Sequence, residues 1–303
     1  MLTKRLILIL LLGLASMPAR ASLQVFACEP EWADLVKTLV PDARIKVATT
    51  AWQDPHYIEA RPSLIAAMSR ADLAVCTGAS LEAGWLPALI NKASNQRIRE
   101  GKPGLFFAAE QVPLYQPHDH VDRSMGDVHS EGDPHIHLDP ERVPLVMEAL
   151  ADRLSQIAPE LENDLRRRHL QWRVQWNLQK ARWQKAAEEL QGTGLVVQHA
   201  DFGYLLRWLG VDAVLDLEPK PGLPPSASHL SKLLAEPELE KASAIMIALY
   251  QDDRPATWLS ERTNLPVLTL PGTVTDEHQT LSEVISHLVA RLVAQNKTAD
   301  HNG

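Results

Sequence analysis

The chain has 303 residues, of which 45% are hydrophobic and 22% charged, so an apolar core of one large domain or two ordinary ones can form. Its formal net charge of −8, with no basic cluster interleaved with aromatics, argues against a nucleic-acid partner. Lys4 and Arg5 precede an uninterrupted apolar run from Leu6 to Leu12, followed by Ala19-Arg20-Ala21. That order is the basic stub, apolar stretch and small-residue cleavage site of a secretory signal peptide covering residues 1–21. The apolar run is well short of the roughly 20 residues that span a bilayer, so an exported, soluble mature chain beginning near Ser22 is expected. Val25-Phe26-Ala27-Cys28 loosely resembles a lipid-attachment box, but Phe26 is bulky for one and Leu23–Cys28 reads better as a strand.

Strand-like and helix-like segments then alternate. Leu23–Cys28 (strand), Glu31–Leu39 (helix) and Arg44–Thr49 (strand) are followed by Ser63–Arg70 (helix) and Asp72–Cys76 (strand). Leu81–Asn91 reads as a helix and Gly104–Ala108 as a strand, and the whole series indicates a parallel sheet covered on both faces. Cys28 and Cys76 end two of these strands. A disulfide is sterically possible if the strands are neighbours, and two buried free thiols are the alternative.

From Gln111 to Asp133 periodicity fails, and Pro, Gly, Asp and His dominate, a loop long enough to suggest a function of its own. Pro140–Ile157 is a helix opened by Asp139 and Pro140. Pro159 starts the longest helical segment, to about Leu190, with Leu161, Leu165, Trp172, Trp176 and Trp183 near helical spacing. Such a stripe reads as core rather than ligand platform, and so long a helix suits a rigid strut. Alternation then resumes with strands at Leu195–Gln198, Ala213–Asp216, Ala244–Leu249 and Pro266–Leu270. Helices at Phe202–Leu209, Ser226–Leu234, Pro255–Arg262 and Leu281–Ala294 separate and close them. The expected fold is therefore α/β, with two similar lobes, each a parallel sheet flanked by helices. The lobes span residues 22–157 and 192–295, are joined by a helix at 158–191, and leave a tail at 296–303. Ligand belongs between the lobes at the C-terminal ends of strands.

Three histidines stand where a strand has ended or a loop meets a helix. His56 lies in Asp54-Pro55-His56, His135 in Asp133-Pro134-His135, and His199 directly follows the strand Leu195–Gln198. Imidazole is a borderline-soft neutral donor that suits zinc, and the Asp two residues before a ligand can orient its other ring N–H. No His-Glu-x-x-His or Cys-x-x-Cys element is present.

Four segments carry a resemblance. They are Asp54-Pro55-His56-x-x-Glu59-x-Arg61-Pro62-Ser63, Ala71-Asp72-Leu73, Asp133-Pro134-His135-Ile136-His137-Leu138-Asp139-Pro140 and His199-Ala200-Asp201-Phe202-Gly203-Tyr204. In this order they resemble the periplasmic zinc-binding subunits of bacterial zinc ABC transporters, within the wider family that carries zinc and manganese. The resemblance implies two lobes bridged by a long helix and a metal in the cleft held by His56, His135 and His199. It implies a periplasmic, monomeric, non-enzymatic carrier that captures Zn2+ and delivers it to an inner-membrane permease. A histidine at the third motif is typical of zinc members, whereas manganese members usually have a carboxylate there.

Many relatives complete the site with an Asp after the last strand, where this chain has Leu268-Thr269-Leu270-Pro271-Gly272-Thr273-Val274-Thr275-Asp276-Glu277-His278. Asp276 is the candidate for a shifted fourth ligand, with Glu277, Glu59 or water as alternatives. The loop Gln111–Asp133 carries His118, Asp119, His120, Asp122, Asp127 and His129. It is read as a lure that binds zinc weakly and passes it to the cleft without holding the tight ion, or as a contact for a metallochaperone or the permease. Competing readings are a secreted zinc hydrolase with Asp201 or Glu59 as base, and a carrier of manganese or of a metal chelate.

Overall fold

The computed structural model describes residues 22–122 and 125–302, so the expected signal peptide lies outside the described residues. The first lobe is a parallel sheet of β1 (Gln24–Ala27), β2 (Arg44–Val47), β3 (Leu73–Cys76) and β4 (Leu105–Phe107) in the order β2-β1-β3-β4. Helices α1 (Pro30–Leu39), α2 (Pro62–Arg70) and α3 (Leu86–Ala93) cross between the strands. α4 (Val143–Ile157) follows the long loop and packs beside α1. The second lobe repeats the plan. β5 (Gly194–Val197), β6 (Asp212–Asp216), β7 (Ala242–Ala248) and β8 (Val267–Leu270) lie parallel in the order β6-β5-β7-β8. α6 (Gly203–Leu209), α7 (Ala227–Leu233) and α8 (Arg254–Thr263) connect them.

Central strands of such sheets are covered on both faces and read as continuous apolar runs. β3 (Leu-Ala-Val-Cys) and β5 (Gly-Leu-Val-Val) are buried at every residue, whereas the edge strand β2 alternates exposed and half-buried positions. Because β1 and β3 are neighbours, Cys28 just past β1 and Cys76 at the end of β3 stand 4.8 Å apart at Cα and are joined by a disulfide. Of the two alternatives open in the sequence, the bridge is the one realised.

Between the lobes runs α5 (Glu162–Ala187), flanked by single 3-10 turns at Pro159–Leu161 and Glu188–Leu190. Trp176 and Trp183 are buried, and Trp172 is partly buried against the same core. Trp172 stacks on Trp176 at 5.0 Å between ring centroids, and Trp183 meets Trp176 edge-on at 5.3 Å. Each buried indole finds an acceptor: Trp176 Nε1 donates to the Pro140 carbonyl at 2.9 Å and Trp183 Nε1 to Ser286 Oγ at 3.0 Å. The aromatic stripe is core, as its spacing indicates. One apolar cluster continues from Val25 and Trp32 of the first lobe through Trp176 to Leu195 and Leu288 of the second, so the lobes are fastened to a shared spine.

α9 (Leu281–Asn302) runs past Ala294, where the sequence reading ended it, and takes in residues assigned to a tail. No Gly or Pro interrupts Leu281–Asn302, and Asn296 is tied to the second lobe by Thr193 Oγ1 at 3.1 Å and to the end of the linking segment by the Glu189 carbonyl at 2.7 Å. The N-terminus of α9 is joined to the first lobe, since Leu281 N–H donates to Asp34 Oδ2 on α1 at 2.8 Å. Tyr204 on α6 makes another join, its hydroxyl donating to the Asp133 carbonyl at 2.8 Å and accepting from Tyr115 N–H at 3.0 Å. These connections hold the two sets of strand C-termini face to face.

Candidate metal centre

The two Asp-Pro-His triplets fold identically. Asp54 Oδ1 accepts the His56 backbone N–H at 2.9 Å and lies 2.7 Å from its ring Nδ1. Asp133 Oδ1 accepts the His135 backbone N–H at 2.9 Å and lies 2.7 Å from its ring Nδ1. The intervening proline fixes the backbone, so the aspartate folds back over one residue and takes up Nδ1–H. That assigns the proton to Nδ1 and leaves the Nε2 lone pair facing the cleft. Burial acts to raise the Asp54 and Asp133 carboxyls, but the hydrogen bonds and charge of their histidines outweigh it and hold both below the usual range.

His199 is oriented by other means. It sits two residues beyond β5 with φ of 64°, the left-handed conformation that turns its side chain out of the strand and into the cleft. Its backbone N–H reaches Asp216 Oδ1 at 3.3 Å, and Nδ1 lies 3.1 Å from Glu218 Oε2. Burial disfavours its charge, yet Glu218, Asp201 and Asp216 together push its pKa up to about 9. Burial raises Asp216 to about 6.

His56, His135 and His199 are all buried, and the ligand atoms they offer lie within 4.8 Å of one another. The rings are 5.3 to 6.0 Å apart between centroids. Nε2 of His135 and Nε2 of His199 are buried without a protein hydrogen-bond partner. A buried imidazole nitrogen left unpaired is costly unless something else occupies its lone pair. These two nitrogens and the imidazole of His56 converge on one point, each ring with its Nδ1 engaged by a carboxylate, and form a set that fits a borderline cation. The residues from all three sequence motifs thus come together, although up to 143 positions separate them.

The remaining acidic candidates fall elsewhere. Asp276 is exposed on the segment after β8, where Thr275 and His278 close a tight turn, and it is not among the clustered groups. On the segment after β8 the Gly272 carbonyl accepts from His137 Nε2 at 2.8 Å. Glu59 is exposed. Asp201 faces the cleft side of the cluster, with Oδ1 3.7 Å from His135 Nε2. Both its oxygens are engaged, by the Tyr250 hydroxyl at 2.9 and 3.0 Å and by Gln251 Nε2 at 2.8 Å.

Three participants were not assigned to the cleft from sequence. Asp216 ends β6 and Glu218 lies two residues beyond it, a position at which α/β folds gather ligand groups, so the strand itself signals them. The third is His129 of the long loop, expected to stay clear of the tight site. Its Nε2 lies 3.3 Å from Nε2 of His56, and the two rings stack at 5.4 Å. Burial, then the neighbouring histidines, lower its pKa to about 4. Beside the cluster opens a cleft of about 620 Å³ lined by Asp54, His56, His199, Glu218, Tyr250 and Trp258 among others.

Two parallel α/β lobes on a long helical spine, with imidazoles converging in the cleft, define a two-lobed metal-binding protein. The chain belongs to the family of the periplasmic zinc-uptake complex component A, ZnuA, whose model matches residues 25–295. It is 24% identical over 268 residues to the zinc-binding lipoprotein AdcA of Streptococcus pneumoniae, covering 86% of this chain and 52% of that protein. The chain therefore spans about half the length of that relative. Over 223 residues it is 25% identical to the high-affinity zinc uptake system protein ZnuA of Yersinia pestis, covering 67% of each. The fold is that of a ZnuA crystal structure (TM-score 0.77, 19% identity, 91% of this chain and 99% of that one). It is also that of the periplasmic zinc-binding protein TroA of Treponema pallidum (TM-score 0.74, 20% identity, 91% and 99%).

Proposed function

We propose that this protein is a periplasmic carrier that captures Zn2+ on His56, His135 and His199 and delivers it to an inner-membrane ABC permease. The observation that carries the reading is the convergence of three buried imidazoles, two of them with Nε2 atoms that no protein group satisfies. The donor set favours zinc over manganese, because three imidazole nitrogens suit a borderline cation and manganese sites draw on oxygen. Family membership and the names of the relatives support transport as the purpose of the site.

Each histidine reaches the metal already oriented, since Asp54, Asp133 and Glu218 occupy the three Nδ1 atoms. Little ordering is then left for the ion to impose, which favours tight capture. A hydrolase would need a carboxylate free to take a proton from metal-bound water. Asp201, 3.7 Å from His135 Nε2, already accepts from Tyr250 and Gln251, which supports a carrier over an enzyme. Among the described residues no helix is long and apolar enough to cross a membrane.

The test is zinc-limited growth and uptake of labelled zinc in cells carrying the intact chain or the triple variant His56→Ala, His135→Ala, His199→Ala. Zinc accumulation is expected to depend on the intact chain and to be lost with the triple variant. Equal accumulation in both would refute delivery from this site, and selective loss of manganese uptake would refute the assignment of zinc.

A further inference from the structure

The spine helix α5 turns its tryptophans into the core and leaves another face in solvent. Trp176 and Trp183 are buried, whereas Leu170, Val174 and Leu178 are 46%, 57% and 54% exposed. Spaced four residues apart, these three form one apolar stripe about 12 Å long on the outer side of the helix.

The charge on this helix is as uneven as its burial. Glu162–Ala187 holds seven basic residues against two acidic ones, in a chain whose formal net charge is −8. Both acids, Glu162 and Asp164, stand in the first turn, and none follows over residues 165–187. Arg166, Arg167, Arg173, Arg182 and Lys185 are exposed. At 3.6 residues per turn, Arg167 and Lys185 continue the line of the apolar stripe beyond its two ends. Arg166 and Arg173 flank it on one side and Arg182 on the other. Acidic groups of the packed neighbours act off the stripe: Glu141 takes Lys180 at 2.9 Å, and Glu148 and Asp152 of α4 face His169.

This combination selects its occupant. An isologous contact with a second copy would set the basic face against its like, and like charges repel. Single-stranded nucleic acid needs exposed aromatic platforms, and here the indoles are turned inward. A Leu–Val stripe framed by Arg and Lys matches the boundary between headgroups and acyl chains. Apolar side chains enter it while long basic ones stay with the anionic headgroups.

We propose that α5 docks the protein on an anionic phospholipid bilayer. Leu170, Val174 and Leu178 enter the headgroup boundary, and Arg167, Arg173, Arg182 and Lys185 face the lipid phosphates. So small an apolar face holds the chain weakly and reversibly, concentrating it at the membrane without anchoring it. No residue of α5 lines the cleft beside the three histidines, so docking leaves the metal site uncovered. The proposal is independent of what that site binds.

The test is co-sedimentation of the chain from Ser22 with vesicles of phosphatidylglycerol and phosphatidylcholine, and with vesicles of phosphatidylcholine alone, at low and high salt. It is repeated with the triple variant Arg173→Gln, Arg182→Gln, Lys185→Gln and with the double variant Leu170→Ser, Leu178→Ser. Thermal melting and zinc titration check that each variant is folded and keeps its metal affinity. The intact chain is expected to bind only the anionic vesicles, less so as salt rises. Both variants are expected to bind them at least about tenfold more weakly, with zinc affinity unchanged. Failure of the intact chain to sediment with anionic vesicles would overturn the proposal and leave the face to an acidic protein. Equal binding to both kinds of vesicle, or unchanged binding in either folded variant, would overturn it too. A dimer that the variants abolish would overturn it in favour of a second copy. The lipid and salt comparison uses the intact chain alone, so it decides the matter whatever the folding of the variants.

Discussion

Asp54 Oδ1 holds both the backbone N–H and the ring Nδ1 of His56, at 2.9 and 2.7 Å, so one carboxylate oxygen sets the loop and the tautomer together. The same double contact recurs between Asp133 and His135. Anionic partners of this kind raise the basicity of the imidazole and hold it in the orientation a metal requires. Asn in place of Asp keeps an oxygen for the backbone N–H but loses the charge. Asp54→Asn and Asp133→Asn are each expected to weaken zinc binding by about 10- to 100-fold. Their metal-free melting temperatures should stay close to that of the parent. Chelator competition on the two variants checks this, and unchanged affinity in both would show that the aspartates serve only the turn.

These triplets were legible because everything that orients the histidine lies within two residues of it. Proline and aspartate act locally, and the sequence shows both. The parallel order of the lobes was legible for a similar reason, since the apolar runs in β3 and β5 report burial on both faces. His129 was not legible as a neighbour of His56. Its position depends on Asp127 meeting Pro221, almost a hundred residues away, and on two glycines that allow the approach. The Cys28–Cys76 bridge stood open for the same cause, because adjacency of strands is a property of the sheet.

That disulfide closes a long loop, with its cysteines 48 positions apart in sequence. Constraining an unfolded chain over such a length is worth about 4 kcal/mol by loop-closure entropy. The double variant Cys28→Ser, Cys76→Ser is therefore expected to lose about 2–4 kcal/mol in urea unfolding of the metal-free protein. A loss under about 1 kcal/mol would show that the unfolded chain is not the state the bridge acts upon.

Asp34 links the lobes by accepting from Leu281 N–H at 2.8 Å at the start of α9. Burial raises its pKa to about 6, only partly offset by that hydrogen bond, and the charge of Glu283 adds to the rise. The folded state thus binds this proton more tightly than the unfolded one. Its contribution to stability is complete below the unfolded value of 3.8 and is lost as pH rises through about 6. The loss is worth about 3 kcal/mol at most. Asp34→Asn keeps an oxygen for Leu281 without the buried charge, so its stability relative to the parent should rise between pH 4 and pH 7, by about 1–3 kcal/mol. Urea titrations at a series of pH values read this directly, and a difference constant with pH would contradict the assignment to Asp34.

The central claim is that His56, His135 and His199 together hold one zinc ion in the cleft. Calorimetric titration of the metal-free protein, beside His56→Ala, His135→Ala and His199→Ala, tests it most directly. The expected result is one tight zinc per intact chain and at least a tenfold loss of affinity, about 1.4 kcal/mol or more, in each variant. Tight one-to-one binding that survives any one of the three substitutions would contradict the claim, because that histidine would then not be a ligand.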